Sequence, residues 1–69
     1  MQPYNPLAEG DVVEVARVTS RGPAIYQIHT KDSGRWAVAE RWLRMMGYQY
    51  GESYSAEDGL SYEGWLFIL

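Results

Sequence analysis

The sequence predicts a small α+β domain of order ββαββ, an antiparallel sheet carrying one amphipathic helix on its apolar face. Three observations carry that prediction: two β-rich segments flank a Gly-Pro turn, one stretch has helical periodicity and ends at a glycine, and tyrosines and C-terminal apolar residues follow at strand spacing. An SH3-like half barrel with the helix inserted in a long connection is the alternative arrangement of the same elements.

The elements follow in order. Pro3 and Pro6 each fix their own φ and restrict the preceding residue, so residues 1–9 are expected to form an extended N-terminal arm. Gly10-Asp11 opens Val12-Val13-Glu14-Val15-Ala16-Arg17-Val18, whose β-branched content predicts a strand. Its alternation is imperfect. Either both faces of this strand are covered or a bulge shifts its phase. A turn over Thr19 to Pro23 leads to Ala24-Ile25-Tyr26-Gln27-Ile28-His29-Thr30, which alternates more cleanly and completes an antiparallel hairpin.

Asp32 or Ser33 suits a helix N-cap, and the helix is expected from Gly34 or Arg35 to Met46, with Gly47 at its C-terminal end. On a helical projection Trp36, Val38, Ala39, Trp42, Leu43, Met45 and Met46 occupy an arc of about 180°. Glu40, Arg41 and Arg44 lie opposite. Beyond Gly47, Tyr48, Tyr50 and Tyr54 fall in one period-2 register, which predicts a third strand with an aromatic face. Ser55 to Gly59 is a polar turn. Trp65 to Leu69 is apolar on both faces, as expected of a central strand or of one completed by another subunit.

Composition bounds the function. Sixty-nine residues make one domain, and 46% hydrophobic against 22% charged residues favours folding over disorder. The chain has no cysteine, so neither a disulfide nor a thiolate metal site is available, and a cytoplasmic setting is expected. The N-terminus lacks the basic and apolar regions of a signal peptide. No membrane association is expected, because the longest apolar run is far short of the roughly 20 residues of a spanning helix. His29 is the single histidine, Glu57-Asp58 sits in a turn beside Gly59, and no glycine-rich phosphate loop occurs. These observations predict no enzyme, no cofactor and no metal, and so small a domain is expected to offer little volume for an enclosed pocket.

What remains is contact with another macromolecule. The chain holds six Tyr, three Trp and one Phe, more than one helix-on-sheet core encloses, and such residues dominate interfaces. Tyr48, Tyr50 and Tyr54, with Arg41 and Arg44 on the outer helix face, are the candidates for a protein-binding surface of an inhibitor or regulator. A homodimer belongs to the same class. Small size and absent chemistry suit an accessory protein of a bacterium or its virus. Nucleic-acid binding is the alternative. Net charge is −3 overall, yet residues 17–44 carry +4. If the hairpin end and the helix start lie together, Arg17, Arg21, Lys31 and Arg35 would contact phosphates.

Overall fold

A computed structural model describes residues 4–67. Five elements follow one another: β1 (Val12–Thr19), β2 (Gly22–Ile28), α1 (Ser33–Met45), β3 (Tyr48–Ser55) and β4 (Ser61–Phe67). All strand pairs are antiparallel, and the sheet order is β1-β2-β4-β3. The expected ββαββ domain is therefore the one observed. β4 lies inside the sheet between β2 and β3, which explains why Trp65 and Leu66 are apolar on opposite faces and both buried. Ile68 and Leu69, the end of that apolar run, lie outside the described residues, as do Met1 to Pro3.

The helix begins where the sequence places it. Asp32 is the N-cap, and its side chain accepts from Gly34 N at 2.9 Å. Gly47 closes the other end with φ of 96°, donating its N–H to Arg44 O, a conformation in which a Cβ would be strained. α1 packs on one sheet face through Ala39 and Leu43, which meet Val12, Ile28 and Trp65 in the core. Tyr26, Trp36, Trp42 and Tyr48 seal its margin.

The buried stripe is narrower than the apolar arc. Met45 and Met46 are 80% and 55% exposed, so their inward assignment is corrected. At 100° per residue, Met45 lies roughly 140° from the centre between Ala39 and Leu43. Met46 has nearly the right angle but is the C-cap, where the chain is already leaving the helix.

Two bulges decide which side chains share a face. In β1 the register passes from Glu14↔Tyr26 to Arg17↔Ala24, leaving Val15 and Ala16 opposite Ile25 alone. This explains the irregular alternation of that strand. In β3 the register passes from Tyr50↔Trp65 to Glu52↔Gly64, so Gly51 is the extra residue. Paired residues point the same way, and Tyr54 pairs with Tyr62. Tyr48 and Tyr50 therefore stand on the helix side with Phe67 and Trp65, while Tyr54 stands on the opposite side. The single aromatic face expected for these three tyrosines does not exist. Gly51 also sits against β4: a Cβ there would lie 3.0 Å from Gly64 O and 3.4 Å from Leu66 Cγ.

The described part of the N-terminal segment is not an extended arm. Residues 6–10 are turns, Pro6 is buried, and Pro6 O accepts from Asp11 N and Val12 N. The reason is Asp11. Its buried carboxylate takes two contacts from Arg35, at 2.8 Å from Nε and 2.7 Å from Nη2, and a third hydrogen bond from Tyr4 Oη. Anchoring Tyr4 there folds the segment back onto the helix start.

Candidate functional site

The side of the sheet away from the helix is bridged by arginines. Three inter-strand spacings, about 14 Å in total, separate β1 from β3 along a flat sheet of this order. Even so, the Arg17 guanidinium on β1 lies 3.6 Å from the ring centre of Tyr54 on β3. Arg21, at the β1–β2 turn, donates to Tyr50 O at 2.8 Å and Gln49 Oε1 at 3.1 Å, also on β3. Gln27 on β2 donates to Tyr54 Oη at 2.5 Å. The sheet curls enough for its first and last strands to be joined by side chains. Tyr54 in turn stacks on Tyr62 at 5.5 Å, and the His29 ring lies 5.6 Å from Tyr62 on β4. A ladder of Arg17, Tyr54, Tyr62 and His29 thus crosses this face.

The four cations considered for nucleic acid are not gathered into one patch. The β1–β2 turn and the start of α1 lie at opposite ends of β2, roughly 20 Å apart along a seven-residue strand. Arg17 stacks on Tyr54, Arg21 is bonded to β3, and Arg35 is paired with Asp11 and, at 3.6 Å, with Glu9. Lys31 is exposed on the loop before α1, at the same end of β2 as Arg35.

The protein-binding candidates divide as well. Tyr48 is half-buried, its ring 5.0 Å from Tyr26 and 5.2 Å from Phe67. Tyr54 belongs to the ladder on the far face. The Arg44 guanidinium lies 5.1 Å over the buried Trp65 ring and covers it, while Arg41 is exposed. Tyr50, 38% exposed, packs edge-on to Trp65 at 5.9 Å. Around it the structure adds three residues that sequence reasoning did not select. Phe67 is 45% exposed and touches the Gly47 position, where a Cβ would lie 3.2 Å from its Cε2. Met45 and Met46 immediately precede that glycine. Tyr50, Phe67, Met45 and Met46 are thus all exposed in the region where α1 ends and the outer strand β3 begins. The signal for this region in the sequence was the adjacent methionine pair before Gly47, which had been assigned to the core.

At the other end of the helix an open pocket of about 460 Å³ lies between the β2–α1 connection and the start of β4. It is an open cleft rather than an enclosed pocket, with Trp36 and Leu60 in its apolar lining. Trp36 Nε1 donates to Thr30 O, and Tyr62 Oη donates to Asp58 Oδ2 at 2.5 Å. Both aromatic walls therefore have their polar atoms bonded within the protein. That hydrogen bond from Tyr62 holds the Asp58 carboxyl below its ordinary range and pushes the Tyr62 phenol up. His29, Lys31, Ser33 and Ser61 supply the remaining polar lining.

Between helix and sheet, burial pushes the carboxyl of Glu63 up to about 7, with Glu40 as its hydrogen-bonding neighbour. Trp65 Nε1, 3.3 Å from Glu63 Oε1, and nearby Arg44 oppose the shift. Among the described residues, no cluster of three or more His, Asp or Glu side chains suits a metal ion. No helix among them is long and apolar enough to cross a membrane. Comparison with known proteins finds no matching family model, no matching curated protein and no matching solved structure.

Proposed function

We propose that this chain is a non-enzymatic protein-binding module, acting in the cytoplasm as a small inhibitor or regulator. It docks through the exposed apolar residues Met45, Met46, Tyr50 and Phe67, with Arg41 at the margin. The observation that carries the reading is the exposure of the methionine pair, 80% and 55%, beside a half-exposed Phe67. Methionine is flexible and polarisable, which suits a surface that moulds itself to a partner. Arg41 offers a bidentate contact to a carboxylate at the rim of such an interface. The absence of cysteine supports the cytoplasmic assignment. A second copy of the chain is one candidate partner, because β3 is an outer strand of the sheet and begins beside these residues.

Site-specific photo-crosslinking tests the reading. A benzophenone side chain at position 46 is expected to capture a discrete protein, or a second copy of the chain, in the source cell. The same group at position 31 serves as the control. Capture should be lost in Met45→Glu, whose thermal unfolding should match the parent because that side chain is already in water. Capture of nucleic acid, or equal capture from both positions, would overturn the proposal.

A further inference from the structure

We infer that the pocket between the β2–α1 connection and the start of β4 is a binding site for a small aromatic carboxylate. The pocket lies at the opposite end of the 13-residue helix from the methionine pair, roughly 20 Å away, and does not depend on the proposed docking role.

Three features define the ligand. The first is size: about 460 Å³ falls within the range of small-molecule sites, large enough for a fused ring system and too compact for an extended peptide. The second is the character of the walls. Trp36, its indole N–H committed to Thr30 O, and Leu60 supply apolar lining, while Tyr62 is buried, with its hydroxyl on Asp58 and its ring flanked by Tyr54 and His29. Because that bond fixes the Trp36 indole, little side-chain entropy is lost when a planar body packs against it. The third is charge. The ion pairs among the described residues belong to Arg35 with Glu9 and Asp11, which leaves the Lys31 ammonium at the pocket without a carboxylate. The nearby acids are held by neutral donors rather than by Lys31: Asp32 accepts from Gly34 N, and Asp58 from Leu60 N and Tyr62 Oη. One unpaired cation beside apolar ring surface matches a ring bearing a single anionic group. The Ser33 and Ser61 hydroxyls at the lining supply further donors to a carboxylate.

Titration of the ¹⁵N-labelled full chain with three naphthalenes of one shape tests this inference: 2-naphthoate, 2-naphthylmethanol and 2-naphthylmethylamine. Naphthoate should give saturable shifts at the amides of Thr30, Lys31 and Ser61. It should bind about tenfold more tightly than the amine, the scale of one charge-assisted contact. Lys31→Gln should lower naphthoate affinity to that of the alcohol. Leu60→Trp should fill the pocket and abolish binding; Ser33→Phe, at an exposed helix position, narrows the same space if that variant fails to fold. Shifts confined to Met45 and Met46, no saturation, or equal binding of the amine would overturn the assignment. So would tighter binding of an acetylated peptide with adjacent Phe and Asp, which would make the occupant a protein segment.

Discussion

Replacing Asp11 with alanine removes the acceptor that holds Tyr4 and Arg35 together. The guanidinium keeps only its 3.6 Å contact with Glu9, and Tyr4 loses its anchor. Losing these contacts should lower the urea midpoint, by less than a fully buried pair would because water reaches Arg35. Gly51 is a second sensitive position. A side chain there would press on Gly64 O and Leu66 inside the sheet, so Gly51→Val should destabilise by about 2 kcal/mol. Neither role was legible in the sequence. Asp11 and Arg35 are 24 positions apart, and nothing in local pattern announces a partner at that distance. Gly51 has a glycine's freedom anywhere; only its pairing with β4 makes it the residue that turns Tyr54 to the other face.

At the scale of elements, the contact between α1 and β4 makes stability depend on pH. The Glu63 carboxyl, ordinarily near 4.5, titrates near 7 in the folded chain. The folded state therefore holds a proton that the unfolded state has released, and stability falls as pH rises from 4.5 to 7. Asp58 acts in the opposite sense: its carboxyl is held below 3.8, so its contribution is lost as pH falls below that value. Maximum stability is expected on the acid side of neutrality, to be read from urea midpoints at about pH 4.5, 6 and 8. Glu63→Gln should remove the decline above pH 4.5 and stabilise the protein at pH 8 by about 1 kcal/mol, allowing for the water that still reaches the group. The elements themselves were largely visible in the sequence. Asp32 and Gly47 mark the helix ends chemically, and the β-branched hairpin is a local pattern. The meeting of Glu40 with Glu63 was not visible, since one acid on a helix and one on a strand look equally solvated until the two are packed together.

For the whole molecule, the arginines that looked like phosphate contacts serve to hold the curled sheet. Arg17 and Arg21 tie the first hairpin to β3, so replacing both with alanine should loosen that face. An exposed cation–π contact contributes roughly 0.5–1 kcal/mol. The pair of substitutions should lower the melting temperature by about 5–10 °C in a domain of this size. Amide exchange should rise in β1 and β3, the outer strands, before it rises in β4. Sequence reasoning identified an excess of aromatics and a cluster of basic residues in the middle of the chain. It missed that Arg17 stacks on Tyr54 and Arg44 on Trp65. A stacked arginine is consumed by its aromatic partner, and only the fold reveals the pairing.

The place of β4 between β2 and β3 sets an order on biosynthesis. When the ribosome has made everything up to Gly59, the first hairpin and β3 exist, yet the strand that joins them has not been added. Until Ser61 to Phe67 clears the exit tunnel, Ile28 and Leu43 have no Trp65 to close over. The hairpin, helix and β3 therefore lack their closing strand until β4 is made, so the sheet is completed in one late step rather than piece by piece.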